Sequence, residues 1–387
     1  MIAIAFRSRI TGHRSHKKTN IMKMRTPVTI LCAILCMMLF SQCTFQVNHN
    51  PGDDGYCEYY DKYENADKYT KGNAVLRQTV KSLDLNWRSG SVSVETYDGK
   101  EVRIAEVSDK PLNDTTTMYY YLDPQGTLHV QFGLSCCDTN GHFKDLQKHL
   151  TVQIPRGTKL DDVDFDVLSA DIKVGNMACE EVNIDGTSGN SRLTALNCRE
   201  VNIVVTSGNS HLTDVHCTDI DIDATSGDCH LTNVRCTDIN IDATSGDNFF
   251  EKVTCVKLNI DATSGHTTFD GLTCSGVEID VTSGSVDVNQ LSCRDLSIDL
   301  TSGDIEVSFD ALPNHFHIDA TSADIRLYVP ETAGFTLSGE NVSKHVKTLD
   351  IPGAKIVMHE DEIVVGDGSA QITFDGITSE ITILSNR

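Results

Sequence analysis

Cysteine is the residue of this chain whose type and spacing most suggest chemistry, because it recurs seven times at a fixed interval of 19 residues. Thiols in such a series could form disulfides, bind a soft metal ion, or pack as small polarizable side chains. Leu160 and Leu312 occupy the next positions on either side, which favours packing. An odd number of stacked thiols without convergent geometry argues against zinc, whereas disulfides between neighbouring repeats stay sterically open. The series consists of Cys179, Cys198, Cys217, Cys236, Cys255, Cys274 and Cys293.

Aspartate follows the same interval, six residues after every cysteine of the series except Cys198, where Val204 stands. Carboxylates stacked about 5 Å apart repel one another, which raises their pKa values or recruits a cation such as calcium. The competing interpretation is a solvated face whose charges discourage edge association. A second polar series runs two residues earlier, from Asn183 to His317, and is rich in asparagine. The candidate calcium face consists of Asp223, Asp242, Asp261, Asp280 and Asp299, and no other cofactor is predicted.

Two histidines, His211 and His230, are also one repeat apart and could hold zinc between them. Arg192 and Phe249 occupy the same place in the flanking repeats. This mixture of residue types favours an ordinary exposed strand face over a metal site.

A repeating unit of Thr-Ser-Gly turns and alternating apolar residues positions all of these side chains. The segment from Ile239 to Ala243 alternates apolar and polar residues as a strand does, and glycine then allows a turn. Since one 19-residue unit is too small to bury its own core, units must stack. The sequence therefore predicts an all-β fold, a parallel β-solenoid or β-helix with an inward cysteine ladder. The turn glycines are Gly189, Gly208, Gly227, Gly246, Gly265, Gly284 and Gly303.

The N-terminal segment predicts export. Residues 1–42 contain seven basic and no acidic residues, followed within them by an apolar run from Val28 to Phe40 that suits a signal peptide better than a membrane span. Met22 and Met24 are alternative starts that give a shorter signal peptide. The ending Leu-Phe-Ser-Gln-Cys resembles the lipobox of bacterial lipoproteins, which predicts lipidation of Cys43, although phenylalanine and glutamine depart from the usual pattern.

The remaining chain divides into four predicted segments. Residues 43–78 contain the lipidated cysteine and a polar tether, and residues 79–160 form an irregular opening β module. The regular 19-residue repeats occupy residues 161–330, and residues 331–387 form a C-terminal β cap that covers the last open strand edge.

The charge of the chain restricts its partners. The formal net charge is −23 at pH 7, and it becomes more negative once the basic signal peptide is removed. Such a chain repels nucleic acid phosphates, so nucleic acid is excluded as a partner. Expected partners are the membrane, through the N-terminal lipid, and glycans or extracellular proteins.

Several segments together resemble a known family. They are Leu83–Val94, Leu150–Pro155, the Thr-Ser-Gly coils and Gly366–Ile383. They resemble the bacterial "putative adhesin" β-strand-repeat family and the related head domains of autotransporter adhesins, over residues 79–387. The resemblance implies the solenoid fold and leaves activity open, since its motifs are spacing patterns. The cysteine series departs from the family pattern.

No sequence motif indicates an enzyme. The aspartates repeat evenly, and the sequence contains no Gly-rich phosphate loop, nucleophile elbow or metalloprotease helix motif, so no catalytic residue is assigned. The sequence predicts a cell-envelope lipoprotein, at the outer membrane or cell surface, whose acidic solenoid binds ligands adhesively. One alternative is a periplasmic structural or envelope-stress module. A second is a polysaccharide-active β-helix enzyme.

Overall fold

The structure is a computed structural model that describes residues 65–134 and 143–386. The predicted signal peptide, Cys43 and most of the tether lie outside the described residues. The described chain is almost entirely β-structure, with one 3₁₀ helix (Ala66–Lys68) and one short helix, α1 (Val342–His345). The strands are β1 (Thr70–Lys71), β2 (Ala74–Leu76), β3 (Ser82–Tyr97), β4 (Val102–Ser108), β5 (Tyr119–Leu122), β6 (Thr127–Gln131), β7 (Lys148–Pro155), β8 (Lys159–Ser188), β9 (Ser191–Asn197), β10 (Glu200–Ser207), β11 (Ser210–His216), β12 (Asp219–Ser226), β13 (Cys229–Thr232), β14 (Asp238–Ser245), β15 (Asn248–Thr254), β16 (Lys257–Thr273), β17 (Gly276–Ser292), β18 (Asp295–Phe309), β19 (His315–Val329), β20 (Phe335–Ser338), β21 (Val346–Asp350), β22 (Ile356–Met358), β23 (Glu362–Val365), β24 (Ala370–Gly376) and β25 (Glu380–Ser385).

Successive repeats pair as parallel strands in register. Ile220 of β12 lies opposite Val201 of β10 on one side and Ile239 of β14 on the other, so each residue faces its equivalents 19 positions away. The branched apolar side chains of these strands point inward and are buried, because alternation places every second residue on the same side. The predicted parallel β-solenoid is confirmed.

Each regular coil bends at three places. The turn glycine has a positive φ, the cysteine lies at a second corner between strands, and a third bend occurs six residues after the glycine. At this third bend the backbone is left-handed, as at Asn176, Asp214 and Asn233. Asparagine and aspartate tolerate that conformation better than most residues.

The turn glycines are required by close contact as well as by φ. Gly246 has φ 127°, and a Cβ added there would lie 2.1 Å from the carbonyl oxygen of Gly227 in the preceding coil. The same contact recurs along the glycine column, so no side chain fits between successive turns.

The core consists of stacked columns of apolar side chains, with one column that is partly polar. This partly polar column begins at Ser191, and its side chains point into the core. They carry hydroxyl, thiol and amide groups until the column becomes apolar at Val286. Sequence patterning did not assign this position to the core because its residues are polar. Its buried polar members are Ser191, Ser210, Asn248 and Thr267, with Cys229 between Ser210 and Asn248.

Chain order and stacking order differ at the N-terminal end. Strand β3 lies between β8 on one side and β6 with β7 on the other, all parallel to it. Strands β4 and β5 then cover β7 and β6 in the antiparallel direction. The module boundary predicted at residue 160 falls inside β8, which stacks directly on β3.

A buried ion pair lies at the centre of this end. The Lys148 Nζ lies 2.6 Å from a Glu106 carboxylate oxygen, and both side chains are almost fully buried. The ammonium also donates to the carbonyl oxygen of Thr116 at 2.7 Å and lies over the rings of Trp87 and Phe132. Burial lowers the pKa of Lys148, and the Glu106 carboxylate opposes that shift.

At the C-terminal end, too, the stacking order of the strands differs from their order in the chain. Strands β24 and β25, the last in the chain, pair in parallel with β19, and β20 and β21 lie on their outer side. Strand β23 closes the edge of β20 in the antiparallel direction, followed by β22. The segment predicted as a cap therefore contains a further coil inserted beneath it.

We expect Gly246→Ala to destabilise the fold by about 3 kcal/mol or more, because the methyl group would collide with a backbone carbonyl at a positive φ. Gly276→Ala is the matched control, since a Cβ at that glycine meets no atom within 4 Å. Denaturant unfolding followed by circular dichroism measures both. Equal stability of the two variants would contradict the close packing of the turns.

Candidate functional site

One exposed face of the solenoid carries three columns of polar side chains, and we call it the polar face. Its columns alternate along each strand with buried residues, so all three point outward. The rim column contains Glu181, Glu200, Asp219, Asp238, Lys257, Gly276, Asp295, His315 and Gln371. The asparagine column contains Asn183, Asn202, Asp221, Asn240, Asn259, Glu278, Ser297, His317 and Thr373. The aspartate column contains Asp185, Val204, Asp223, Asp242, Asp261, Asp280, Asp299, Asp319 and Asp375.

Side-chain hydrogen bonds connect the asparagine column along the solenoid axis in two runs, with Asp221 at the start of the second. Asn183 donates to Asp164 at 2.7 Å, and Asn202 donates to Asn183 at 2.9 Å. Asn240 donates to Asp221, and Asn259 donates to Asn240, both at 2.7 Å. Each amide donates toward the preceding coil, so the direction of donation is the same in all of these pairs.

The second run ends at Asn259, because the next residue in the column, Glu278, is a carboxylate with no N–H group to donate. Among the described residues, the buried Oδ1 atom of Asn259 has no hydrogen-bond partner. An acceptor that lacks a donor is unfavourable in a folded protein. The end of this run therefore leaves one buried acceptor unsatisfied.

A groove begins where the series stops, and we call it the Gly276 groove. It runs between the rim and asparagine columns from Lys257 and Asn259 to Gln371 and Thr373, with a volume of about 290 Å³. The volume is near the lower end of the roughly 300–1,000 Å³ typical of small-ligand pockets. Gly276 opens the groove because it has no side chain to fill the rim column.

The floor and walls of the groove differ in character. Its floor is formed by the backbone of Val277, Leu296 and Phe316, whose buried side chains point inward, away from the groove. Its walls contain amide, hydroxyl, carboxylate, imidazole and ammonium groups: Lys257, Asn259, Glu278, Asp295, Ser297, His315, His317, Gln371 and Thr373. A ligand there would meet strand backbone below and hydrogen-bonding side chains on both sides. Polar groups placed in this way fix the orientation of a ligand in a pocket.

The opposite end of the asparagine column also holds a polar cluster. His129 lies 2.6 Å from an Asp84 carboxylate oxygen, and its other ring nitrogen is 3.5 Å from Asp123. The hydrogen bond to Asp84 and the nearby Asp123 carboxylate raise the pKa of His129, although burial opposes the shift. Tyr121 stacks on the imidazole at 6.0 Å. Asp123 also accepts hydrogen bonds from two backbone amides of its turn, so this cluster has a structural role.

The aspartates of the predicted calcium face are indeed stacked in one column. Burial raises the pKa of Asp242, and the neighbouring carboxylates of Asp261 and Asp223 raise it further. Within the described residues, no group of three or more His, Cys, Asp or Glu side chains is arranged to hold a metal ion. The calcium hypothesis gains no support from this geometry and stays a prediction.

The cysteine series forms a column at one corner of the coils, and its members are buried or half-buried thiols. The two histidines His211 and His230 stack with ring centroids 4.6 Å apart, and Phe249 continues the stack at the same distance. Burial, together with His230 and Arg192, lowers the pKa of His211. The stack lies on a different face from the groove, on the strands β11, β13 and β15.

Sequence reasoning placed most of the polar face but missed its groove. The signal was present, because Gly276 and Ser297 replace larger polar residues in two adjacent repeats. The contribution of Gln371, Thr373 and Asp375 could not be found from spacing, since β24 joins the face out of chain order.

Comparison with known proteins identifies the family. The sequence profile of the Toastrack DUF4097 family matches residues 80–249 and 233–350, which together span more than half of the chain. The chain belongs to this family. The Toastrack match confirms the family resemblance seen in the strand and turn pattern, and among curated proteins none matches the chain.

Two solved structures are similar to this Toastrack chain at low identity. A "putative cell adhesion protein" from Clostridium sporogenes ATCC 15579 is 10% identical, with 82% of this chain and 100% of that chain covered and a TM-score of 0.21. A "putative adhesin" from Bacteroides fragilis NCTC 9343 is 13% identical, with coverages of 57% and 97% and a TM-score of 0.36. These scores are too low to transfer a function.

The described part of the Toastrack chain contains no helix long and apolar enough to cross a membrane.

Asp242→Asn should stabilise the folded protein at pH 7, by at most about 1 kcal/mol because water screens an exposed like-charge column. The raised pKa means that the ionised wild-type carboxylate opposes folding above its folded pKa. The advantage of the variant should therefore shrink as the pH falls through that pKa toward the usual value of 3.8. Denaturant unfolding at pH 7 and at about pH 4 measures it.

Asp310→Asn is the control for this experiment, because Asp310 lies in an exposed turn outside the column. A gain for Asp242→Asn that is absent at pH 7, or unchanged in acid, would contradict repulsion along the aspartate column.

Proposed function

We propose that this chain is a non-enzymatic, exported lipoprotein of the cell envelope whose polar face binds glycans and so acts in adhesion. The observation that carries the proposal is the Gly276 groove, a gap in the rim column whose two walls carry hydrogen-bonding side chains. Glycans present many hydroxyl donors and acceptors, and the walls offer partners for both.

The walls of the groove contain both acceptors and donors. The carboxylates of Glu278 and Asp295 would accept hydrogen bonds from ligand hydroxyls. The side chains of Lys257, Gln371 and Thr373 supply donors to ring and glycosidic oxygens. Donors and acceptors on both walls suit a polyhydroxylated molecule.

The charge of the chain favours neutral ligands. With a formal net charge of −23, the protein repels polyanions over distances within the Debye length of about 8 Å. Repeated polar side chains along the remaining face would add weak contacts to an extended ligand, and several such contacts give avidity. Extracellular proteins that carry neutral glycans are partners of the same chemistry.

Anchoring supports the adhesive role. Lipidation at Cys43 would attach the chain to the membrane, and the polar segment that follows it would serve as a tether for the solenoid. The tether would end before β1 and β2, which belong to the sheet.

Filling the groove should abolish binding. We expect Gly276→Trp to weaken binding of neutral oligosaccharides at least tenfold, because the indole would occupy the groove and no backbone strain opposes the change. The wild-type chain is first screened on an array of neutral oligosaccharides, and the affinity for the best one is then measured by calorimetry.

Gly175→Trp is the matched control, since Gly175 lies on another face and a Cβ there makes only an ordinary contact of 3.5 Å with Thr194. It should bind as the wild type does. Absence of any glycan binding, or equal loss in both variants, would contradict the groove as the site. Release of reducing ends from the bound oligosaccharide would instead favour the polysaccharide-active enzyme.

Protease accessibility on intact cells tests the location. We expect digestion of the solenoid on intact cells at the rate seen after lysis, because a surface lipoprotein is open to the medium. A periplasmic protein serves as the control for cell integrity. Protection until lysis would contradict adhesion and favour the periplasmic structural module.

A further inference from the structure

The cysteine column has a geometry that the proposed binding function does not use. Each of its inner members is tied to the next coil by one backbone hydrogen bond. Cys217 donates to the carbonyl of Arg235, and Cys255 donates to that of Thr273, both at 3.0 Å. These bonds hold successive cysteines at the strand spacing of about 4.8 Å. That spacing lies within the Cα separation of roughly 4.4–6.8 Å that disulfides require.

The thiols themselves are in contact. The Sγ atoms of Cys255 and Cys274 lie 3.1 Å apart. The thiols of Cys179 and Cys217, on either side of Cys198, are close enough to lower its pKa. Oxidation of a contacting pair needs only a small change of side-chain torsion, because the backbones are already at the required distance.

Access and ionisation are arranged along the column. Cys217, Cys236 and Cys293 are half-buried, so a small molecule can reach the column at its middle and at one end. Hydrogen bonds from neighbouring thiols lower the pKa of Cys198 and Cys274, whereas the same contacts, together with burial, raise the pKa of Cys179, Cys217 and Cys255. Within each contacting pair one sulfur is therefore favoured as the thiolate, which is the attacking species in disulfide exchange.

We propose that the cysteine column is a disulfide-forming site that reacts with small-molecule disulfides and links adjacent coils. One column thiolate attacks the external disulfide, forms a mixed disulfide and releases one small thiolate. The neighbouring thiolate attacks the mixed disulfide at the protein sulfur, forms the cross-coil bond and releases the second. Two protein thiols are oxidised, one external disulfide is reduced to two thiols, and the two protein protons pass to the two leaving groups.

The odd number of thiols gives the site a further property. Seven cysteines can form three adjacent disulfides at most, so one thiol always remains beside a disulfide. That thiol can attack its neighbour, which moves the unpaired position along the column without net oxidation. The column therefore has several equivalent pairings, each of which staples different coils.

Native oxidation and peptide mapping test the site. The purified reduced chain is incubated with oxidised glutathione, unfolded in the presence of N-ethylmaleimide to trap free thiols, and digested with trypsin. Arg192, Arg199, Arg235, Lys252 and Lys257 separate most column cysteines into different peptides. Among the cysteines from Cys179 to Cys293, we expect disulfides only between column neighbours, with a loss of about six mass units for three bonds.

Cys229 is an internal control. It is buried, its stacking neighbours are Ser210 and Asn248, and burial raises its pKa to about 12. It should remain an alkylatable thiol once the oxidised protein is unfolded. A disulfide that includes Cys229 would show that the protein had unfolded or that pairing ignores the column.

A variant in the middle of the column gives a sharper test. Cys236→Ser divides the column into two sets of three, so neighbour pairing allows only two disulfides and leaves two free thiols. Pairing between distant cysteines would still give three. Cys229→Ser is the matched control and should give three, and circular dichroism checks that both variants fold. Cys236→Ala replaces the serine variant if serine prevents folding.

Each result of these experiments either supports or overturns the disulfide-forming site. Neighbour disulfides in the wild type and two in the variant support the site. A column that remains fully alkylated, glutathione adducts without cross-coil bonds, or three disulfides in Cys236→Ser would each overturn it.

Discussion

The parallel pairing of one coil with the next, in register at 19 residues, is the constraint on which the rest of the structure depends. Its backbone hydrogen bonds place equivalent residues about 4.8 Å apart, so each side chain lies next to the equivalent side chains of the neighbouring coils. A favourable contact between equivalent side chains then recurs from coil to coil, as in the amide series that ends at Asn259. An unfavourable contact recurs as well, as in the aspartate column around Asp242. Glycine occupies seven successive turns because a Cβ there would collide with the preceding turn, and alanine stands only at the two ends of this run, at Ala170 and Ala323.

The same constraint explains what the sequence could predict. The interval of Thr-Ser-Gly and cysteine determines the solenoid, and alternation determines which columns face outward, so Asn240 and Asp242 were placed correctly relative to their neighbours. The alternation of polar and apolar residues predicts the wrong exposure where stacking buries a polar column. Ser210 and Asn248 are buried although they are polar, because their position follows from that of their column, and a sequence pattern counts polar residues as exposed.

Stacking order is the other feature that the sequence could not give. Parallel pairing requires only that two coils share a register, and it does not require that they be consecutive in the chain. Strand β3 can therefore stack on β8 after the chain has passed through β6 and β7, and β24 can enter beneath β20. Both departures from chain order place irregular segments at the ends of the solenoid, where antiparallel strands cover open edges. The buried pair of Lys148 and Glu106 belongs to one of these irregular ends, where no neighbouring repeat supplies a matching contact.

A surface built from repeats gains specificity only where a column changes. Along most of the polar face every coil offers a ligand nearly the same groups, so contacts can add but cannot select one position. At Gly276 the rim loses its side chain, and at Glu278 the amide series loses its next donor. These two changes occur in one coil, and together they create both a space and an unsatisfied acceptor. Neither change is needed for folding, since other polar residues occupy both positions in other coils, whereas a Cβ at the turn glycines Gly189 to Gly303 would collide with the preceding turn. Packing requires the turn glycines and does not require Gly276, which is why the proposed site is assigned to Gly276.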